Sequence, residues 1–565
     1  MSPSPTPATG MQGARSSERR RRGERLRSAY PQAGVLQALA SPSMYPGKPA
    51  VQLRETHSSW VFLAGGRAYK VKKPLELGFL DYSTLARRHA ACREEVKVNR
   101  PLAPDIYLGV RALVQRPGGF RLAREETPEA VEYLVEMRRF DERDTLAGLI
   151  DRRALKRADV EATARFLADF HRRSPPATGG GHEPVLSAWR ANIAELQRSA
   201  HPTGWRLQSA LYFGEAFVAA HAPELERRAL RGLVRDGHGD LRCEHVLVSP
   251  QVRVVDRIEF DPQLRRIDVA WDLAFLAMDL EARGARAAAE SLVSAYRRAG
   301  LSPGGAWLRA FYAAYWALVR AKVALLAPGE DRYGTSERQL ACAQDLWQLA
   351  QRLCWRARKP LAVVLCGPAA SGKSTLAAAL SRQAEMTVVS SDVMRKAAAG
   401  LRPGERARAE HYRESFTHLT YELLGSRART VLRDHDAVIV DATCRTRFDR
   451  ALLLGRIARA NVNLLFVHCE LPLKTACERA TRRLSDPARV SDATPEIVAE
   501  QYRSFQPPEE LPADTVLHLD MRKALDAQLD EVALALDRRT VARHPHEPRT
   551  AARQRSLSAP EASRP

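Results

Sequence analysis

Residues 361–375 read Leu-Ala-Val-Val-Leu-Cys-Gly-Pro-Ala-Ala-Ser-Gly-Lys-Ser-Thr, and this stretch decides the fold of the second half of the chain. An apolar run predicts a buried strand, and the Leu- and Ala-rich residues that follow predict a helix. Between them, Gly367, Gly372, Lys373 and Ser374 match the spacing G-x-x-x-x-G-K-[ST] of the phosphate-binding P-loop. The glycines let the chain turn sharply and let backbone N–H groups approach phosphates.

The loop also predicts which atoms would hold a nucleotide. Lys373 is expected to reach the β- and γ-phosphates, and the Ser374 hydroxyl is expected to ligate Mg²⁺. The helix N-terminus after the loop favours anions. We therefore predict ATP and Mg²⁺ as cofactors. The predicted nucleotide-binding residues are Gly367, Pro368, Ala369, Ala370, Ser371, Gly372, Lys373, Ser374 and Thr375.

From residue 361 onward, expected strands and helices alternate. This alternation predicts a parallel sheet between helices, a three-layer α/β/α domain of the P-loop NTPase class. The expected strands are 361–366, 386–390, 437–441 and 462–469, and the expected helices are 373–383, 391–398, 406–433, 446–459 and 473–484.

Asp392 and Arg395 follow the second expected strand of this sheet. Ligands of open parallel sheets bind at the carboxyl ends of the strands. Asp392 is therefore predicted to accept a proton from a substrate hydroxyl, and Arg395 to hold a substrate phosphate or the transferring one. The alternative is a helix N-cap provided by Ser390, Ser391 or Asp392.

Further candidates follow the third and fourth expected strands. Asp441 ends an apolar strand, a Walker-B-like position from which an acid reaches the Mg²⁺ shell. An Arg-rich helix end and a polar segment, 485–494, predict a lid that closes over the transferring phosphoryl group. Arg479 or Arg483 is expected to neutralise charge there, and the sequence does not choose between them.

The stretch Ser391-Asp-Val-Met-Arg-Lys396 resembles the S-D-x-x-R-K pattern of P-loop kinases related to polynucleotide kinase, zeta toxin and chloramphenicol phosphotransferase. An AAA+ motor is a poorer match, because sensor residues and an assembly-type arginine finger are not recognisable. The resemblance implies a small kinase, and an AAA-family ATPase label would reflect the P-loop.

The first half of the chain centres on His238-Gly-Asp-Leu-Arg-Cys-Glu-His245. An Asp on a tight loop, a second acid at a strand end, and a hairpin Lys followed by a helical Glu have the layout of kinase-like phosphotransferases. Strands within 51–138 and one helix at 84–99 predict a mostly antiparallel lobe. Helices after residue 141 predict a second lobe.

His238-Gly-Asp240, Val255-Asp256 and Asp268-Val-Ala-Trp-Asp-Leu-Ala274 resemble the aminoglycoside phosphotransferase family. The whole chain resembles bacterial proteins that fuse such a domain to a C-terminal P-loop ATPase or kinase domain. The resemblance implies a bilobal protein-kinase-like fold. It also implies that Asp240 orients or deprotonates an acceptor hydroxyl, that Asp256 holds Mg²⁺, and that Asp272 secures the loop.

The same resemblance implies that Lys70 contacts the α- and β-phosphates and pairs with a helix acid, Glu95 in preference to Glu94. Lys72 and Lys73 compete with Lys70, and strand alternation places Lys70 and Lys72 on one face. Family position favours Lys70. His238 is expected to shape the loop.

His245 departs from the family pattern, because it stands where an Asn would be the second metal ligand. An imidazole is a poor ligand for Mg²⁺. Either His245 or Glu244 serves as the ligand, or one metal ion binds, or the domain is catalytically weak. The residues favour an active and an inactive domain about equally.

Composition limits the remaining choices. The chain has 565 residues and a net charge of +22, and this length favours more than one domain. Its eight cysteines form no C-x-x-C pairs, which favours a reducing, cytoplasmic setting. No stretch is long and apolar enough for a membrane span. We predict a disordered basic tail (1–45), a kinase-like domain (46–355), a linker (356–360), the P-loop domain (361–540) and a disordered tail (541–565).

The predicted function is transfer of the γ-phosphoryl group of ATP to a hydroxyl acceptor at the P-loop, with a second kinase-like site in the first half. One alternative leaves only the C-terminal domain active and makes the first a regulatory or binding module. Another is a non-enzymatic, nucleotide-gated nucleic-acid-binding protein. The acceptor would be a small molecule or a nucleic-acid hydroxyl. Binding of nucleic acid through the basic tails is allowed but not required.

Overall fold

The computed structural model describes residues 33–77, 80–177, 179–199, 201–326, 337–402, 405–457, 462–483 and 494–543. Contacts divide the chain into two compact units. The first takes its described residues from Met1–Gly180 and Arg231–Gly304. The second takes its described residues from Gly181–Leu230, Gly305–Leu326 and Thr335–Pro565. Within the described residues, no helix is both long and apolar enough to cross a membrane.

The helices in chain order are α1 Ala33–Leu39, α2 Leu85–Asn99, α3 Leu146–Asp151, α4 Arg157–Arg173, α5 His182–Arg198, α6 Leu207–Leu230, α7 Val269–Ala282, α8 Arg286–Arg298, α9 Ala306–Leu326, α10 Glu337–Ala357, α11 Lys373–Ala384, α12 Ser391–Ala398, α13 Glu414–His435, α14 Arg447–Ile457, α15 Leu473–Arg483, α16 Pro495–Ser504 and α17 Leu525–Arg543. The strands are β1 Val51–Glu55, β2 Ser59–Ala64, β3 Arg67–Lys72, β4 Glu76–Leu77, β5 Leu80–Asp81, β6 Tyr107–Arg116, β7 Gly119–Arg124, β8 Ala130–Arg138, β9 Val234–Asp236, β10 Val246–Leu247, β11 Arg253–Val254, β12 Arg266–Asp268, β13 Leu361–Cys366, β14 Thr387–Ser390, β15 Ala437–Asp441, β16 Asn463–Glu470 and β17 Val516–Asp520.

The first unit contains a six-stranded sheet in the order β1-β2-β3-β8-β6-β7. All of its strand pairs are antiparallel, as the hairpin signals predict. Helix α2 starts where Thr84 caps it and packs against β6 and β8. The rest of the unit is helical, with short strands that carry the loop around Asp240. A likeness of this unit to a bilobal kinase stays a prediction.

The prediction of a disordered tail over residues 1–45 is wrong for its last part. Residues 33–45 form α1 and a following 3-10 turn, and Val35, Leu39 and Tyr45 are buried against the sheet beside Phe62. Burying each of these apolar side chains is worth about 1.5–3 kcal/mol, which stabilises so short a helix. Residues 1–32, which include the basic run, lie outside the described residues.

The second unit contains a five-stranded sheet in the order β14-β15-β13-β16-β17, and every pair in it is parallel. This confirms the predicted parallel sheet. The central strand β13 is buried along its whole length, because helices cover both faces. Val363 and Leu365 pack in one core with residues of α11 and α17, and Val364 packs in another with residues of α13. A strand covered on both faces reads as a continuous apolar run.

Some bounds differ from the predictions. The helix expected at 406–433 begins at Glu414, since Arg413 is extended and a 3-10 turn precedes it. Strand β11 ends at Val254, two residues before Asp256, which adopts a left-handed φ of 61°. Residues 541–543, placed in the disordered tail, end α17, and the Arg543 guanidinium donates to the carbonyl of Val462. Residues 544–565 lie outside the described residues.

The second unit also holds helices that precede the P-loop domain in sequence. Helices α6 and α17 pack together, and Arg358 forms a two-bonded ion pair with Asp537 at 2.7 and 2.8 Å. Arg206 pairs with Asp530 at 2.6 Å. The predicted linker at 356–360 stays a prediction. The division by contacts groups Gly181–Leu230 and Gly305–Leu326 with the P-loop domain.

Candidate functional site

The P-loop backbone requires glycine at two positions. Gly367 has φ 139° and Gly372 has φ 109°, conformations that side chains with a Cβ rarely adopt. A Cβ on Gly367 would lie 2.9 Å from the carbonyl oxygen of Cys469, and one on Gly372 would lie 3.1 Å from the Met521 methyl group. Strand β16 therefore lies so close to the loop that a larger residue at position 367 would displace it, and Met521, directly after β17, limits the space at position 372.

The charged and polar side chains of the loop contact the loop backbone and the end of β15. The Lys373 ammonium is buried and donates to the carbonyls of Gly367 and Pro368, both at 2.8 Å. The Ser374 hydroxyl donates to a carboxylate oxygen of Asp441 at 2.7 Å. Residue 441 is brought there because β15 lies parallel to β13, with Leu365 opposite Asp441. A hydroxyl and a carboxylate side by side are oxygen ligands of the kind that Mg²⁺ prefers.

Asp392 and Arg395 lie on α12, which begins directly after β14. Arg395 is buried and donates to the carbonyl of His411 at 2.5 Å and to the hydroxyl of Thr417 at 3.3 Å. Its guanidinium also lies 4.8 Å from the centre of the Tyr412 ring. Arg395 therefore secures the segment before α13. Ser390 holds the N-cap position of α12 without a side-chain capping bond.

Two side chains reach the P-loop from later elements. Arg479 on α15 donates to the carbonyl of Ser371 at 3.4 Å. Gln501 on α16 accepts a hydrogen bond from the backbone N–H of Ala369 at 2.8 Å. Sequence reasoning missed Gln501, because nothing near it marks a binding residue. The side chain of Arg483 and residues 484–493, which include most of the expected lid, lie outside the described residues.

In the first unit, the structure brings together the lysine and acids named from the sequence. The Lys70 ammonium lies 2.8 Å from a Glu95 oxygen and 2.7 Å from an Asp256 oxygen. Glu95 is fully buried, whereas Glu94 pairs with Lys97 on the surface. The geometry therefore selects Glu95 as the helix partner of Lys70.

Lys72 shares this acid. Its ammonium lies 2.5 Å from the second oxygen of Glu95, and it also pairs with Glu259. The alternation of β3 places both lysines on one face, as the sequence predicts. Burial acts to lower the pKa of Lys70, but Asp256 and Glu95 outweigh it and raise that pKa well above its usual value. Both lysines are therefore charged at neutral pH.

Arg242 covers Asp240, and sequence reasoning did not foresee this contact. The guanidinium donates to one Asp240 oxygen at 3.1 Å and to the other at 3.2 Å. Burial acts to raise the pKa of Asp240, but Arg242 and His245 outweigh it and hold that pKa below its usual value. The Asp240 carboxylate is therefore ionised, but a cation already engages both of its oxygens.

His245 also contacts this pair. Its Nδ1 donates to the backbone carbonyl of Asp240 at 2.8 Å. Its Nε2 lies 3.0 Å from an Arg242 nitrogen and 3.8 Å from an Asp256 oxygen. The Arg242 guanidinium therefore contacts the ring nitrogen that faces Asp256.

Asp272 supports the loop that carries Asp240. It is fully buried and accepts the backbone N–H groups of His238 and, at 2.9 Å, Gly239. The His171 ring contacts it at 3.2 Å. Burial lowers the pKa of His238 to about 4, so this ring is neutral at pH 7. The loop is therefore secured by a buried carboxylate and shaped by a neutral imidazole.

Asn99 connects α2 to the Asp256 turn and was missed from the sequence. Its amide nitrogen donates to the carbonyl of Glu95 at 3.0 Å, and its oxygen accepts from the backbone N–H of Arg257 at 2.8 Å. The Tyr107 hydroxyl accepts from the N–H of Asp256 at 3.1 Å. These bonds hold the left-handed Asp256 residue, whose strain the surrounding structure must offset.

Three comparisons place the chain among known proteins. A family model described as an AAA domain, AAA_33, matches residues 363–508. A gluconokinase from Sinorhizobium meliloti 1021 is 18% identical with a TM-score of 0.25, covering 34% of this chain and 99% of that one. A choline/ethanolamine kinase family protein from Mesorhizobium loti is 16% identical with a TM-score of 0.35, covering 56% of this chain and 98% of that one. TM-scores this low carry no argument here.

Two sequence relatives match a larger part of the chain, and at higher identity, than these solved structures do. Uncharacterized protein Rv2004c of Mycobacterium tuberculosis is 30% identical over 463 residues, which are 80% of this chain and 89% of that protein. Uncharacterized protein Mb2027c of Mycobacterium bovis matches with the same identity and coverage. The match extends well beyond the AAA domain into the first half of the chain. The chain therefore belongs to the same protein family as Rv2004c of Mycobacterium tuberculosis.

Proposed function

We propose that the protein is an ATP-dependent phosphotransferase that moves the γ-phosphoryl group to a hydroxyl acceptor at the P-loop. The observation that carries this proposal is the 2.7 Å bond from the Ser374 hydroxyl to Asp441, on a loop whose Lys373 ammonium is buried. A strand-end acid, a P-loop hydroxyl and a P-loop lysine are parts that phosphoryl transfer needs. The match of residues 363–508 to an AAA domain supports nucleotide use.

Each group has a proposed task. Ser374 and Asp441 would hold Mg²⁺, which supplies positive charge to the phosphate oxygens. Backbone N–H groups of residues 367–375 and the Lys373 ammonium would bind the phosphates. Asp392 would accept the proton of the acceptor hydroxyl as its oxygen–phosphorus bond forms and the bond to the ADP oxygen breaks.

The two arginines have different proposed tasks. Arg479, which already reaches the loop carbonyl of Ser371, would neutralise charge during transfer. Arg395 is a weaker candidate for direct phosphate contact, because the protein itself engages its guanidinium. Its proposed task is to position the segment beside Asp392. Arg483 remains a candidate alongside Arg479.

The experiment is a transfer assay with γ-labelled ATP in a cell extract, which shows what gains label. The wild type is expected to label a hydroxyl-bearing acceptor. Lys373→Ala is expected to lose nearly all of that label, and Asp441→Asn is expected to lose it at limiting Mg²⁺. Label that persists in both variants would contradict a P-loop origin. An Asp240→Ala arm shows which products depend on the first unit.

A second phosphotransferase site in the first unit is favoured by the contacts of Lys70 with Glu95 and Asp256. In this proposal Lys70 binds phosphates, Asp256 holds Mg²⁺ and Asp240 orients the acceptor hydroxyl. His245 is a poor partner for Mg²⁺, both as a nitrogen ligand and because Arg242 contacts its Nε2. The alternative proposal makes this unit a regulatory or binding module, and the Arg242 contact on Asp240 favours it.

Binding of nucleic acid through the basic tails is a proposal of lower rank. Residues 1–32 and 544–565 would supply the charge, and such binding falls steeply with salt. Tight, salt-dependent nucleic-acid binding without ATP turnover would support a nucleotide-gated binding protein. Retention of that binding after deletion of both tails would exclude this version.

A further inference from the structure

We propose that His468, Glu470 and His518 form a binding site for a divalent transition-metal ion of the zinc type. The Nδ1 atoms of the two histidines lie 3.4 Å apart. One oxygen of Glu470 lies 3.2 Å from the first and 2.7 Å from the second. These ligand atoms all lie within 4.8 Å of one another. The proposal does not rest on the phosphotransferase activity.

The sheet itself sets this spacing. His468 and His518 are opposite each other on the parallel strands β16 and β17. Glu470 is two residues beyond His468 and therefore lies on the same face. The intervening Cys469 points into the core on the other face. The backbones of paired strands hold the three side chains close together before any ion binds, which lowers the entropic cost of binding.

A neighbouring ring further fixes one ligand. The His468 ring stacks on Phe505, with centroids 5.1 Å apart and planes inclined by 15°.

The observed distances suit a tetrahedral ion. Zinc–nitrogen bonds of about 2.0–2.1 Å place two ligands of a tetrahedron about 3.3–3.4 Å apart. The separation of the two Nδ1 atoms and that between His468 and Glu470 are close to this value. The shorter contact, between His518 and Glu470, would widen by about half an ångström on binding.

The ligand types decide the class of ion. Two imidazoles and one carboxylate suit zinc and its transition-metal neighbours, whereas Mg²⁺ and Ca²⁺ prefer oxygen ligands. Three protein ligands leave the fourth tetrahedral position to water or to another molecule. The site is therefore distinct from the proposed magnesium site at Ser374 and Asp441. A hydrogen-bonded cluster without an ion is the competing explanation.

The test uses full-length protein treated with a chelator and then titrated with Zn²⁺, or with Co²⁺ to follow its absorption. The wild type is expected to bind one equivalent that His468→Ala, His518→Ala and Glu470→Gln each weaken at least about tenfold. His435→Ala is the matched control, because His435 is an exposed histidine of the same unit. Circular dichroism checks that each variant is folded.

Two results would overturn the proposal. The first is no stoichiometric binding by the wild type, which identifies a hydrogen-bonded cluster. The second is unchanged zinc affinity in His518→Ala and Glu470→Gln, which places the ion elsewhere. If a histidine variant fails to fold, Glu470→Gln decides, because it keeps the shape of the side chain and removes the charge that the ion requires.

Discussion

The two candidate sites differ in what holds the lysine. Lys373 donates to neutral carbonyls of its own loop, whereas Lys70 lies between two carboxylates. At Lys373, a phosphate anion competes only with neutral carbonyls. At Lys70, it must displace the Asp256 carboxylate, which carries a full negative charge. In the first unit Arg242 likewise covers both oxygens of Asp240. An anion can therefore reach Lys373 without breaking an ion pair. At the first site, the Lys70–Asp256 and Arg242–Asp240 ion pairs must both break before phosphate and acceptor can bind.

The largest effect is expected from Lys373→Ala. Loss of the ammonium removes a positive charge aimed at the transferring group, and transfer from the P-loop should fall at least about 100-fold. Label transfer from γ-labelled ATP measures it. Lys474→Ala, a change at an exposed lysine of the same unit, should leave the rate unchanged. Equal loss in both variants would mean that general charge, not loop geometry, matters.

Asp441→Asn should have the next largest effect. The amide keeps a bond to Ser374 but contributes no negative charge to a magnesium ion, so the Mg²⁺ concentration for half-maximal activity should rise about tenfold or more. Rates measured across a Mg²⁺ series report this shift. Asp256→Asn should leave P-loop transfer unaffected. If Asp256→Asn instead shifts the P-loop Mg²⁺ requirement, the two sites do not act separately.

Arg242→Ala tests whether the first site is held closed. Without the guanidinium, the Asp240 oxygens are free, and transfer that depends on Asp240 should rise about tenfold when assayed in a Lys373→Ala background. The pKa of Asp240 should also rise, since Arg242 holds it low. The acidic limb of the pH–rate profile should therefore move to higher pH.

A first unit that stays inactive in Arg242→Ala would favour a regulatory or binding module. Arg283→Ala is the matched control, because Arg283 pairs with the neighbouring Glu244 and not with Asp240. An equal gain in both variants would mean that Arg242 does not act through Asp240.

The smallest effect is expected from Gln501→Ala. The amide oxygen of Gln501 accepts a hydrogen bond from the N–H of Ala369. Removing that oxygen frees the N–H for a phosphate, so ATP binding should tighten about two- to threefold. Calorimetric titration with ATP measures the change. Glu500→Ala alters an exposed neighbour and should have no effect. Weaker binding in Gln501→Ala would show that the side chain positions the loop instead of competing with phosphate.

Local patterns predicted much of the fold. The bounds of β13, α12 and β15 match the expected elements, because continuous burial or amphipathic spacing marks each of them within a few residues. Strand β17 was not predicted, since it is a short edge strand with one fully buried residue, Leu519. Helix α1 was missed because the Ser-, Pro- and Arg-rich composition around it outweighed the i, i+4 spacing of Val35 and Leu39.

The sequence by itself determined the P-loop, the parallel sheet around it and the list of charged residues in both halves, because these depend on spacing within one element. The family resemblance implied that Lys70 pairs with Glu95, and only the tertiary structure decided the other contacts. Lys70 meets Glu95 across 25 positions and Asp256 across 186, and Ala369 meets Gln501 across 132. Such contacts, like that of His468 with His518, depend on strand order and helix packing. No local pattern encodes them, since the energy that selects them comes from burying the whole core.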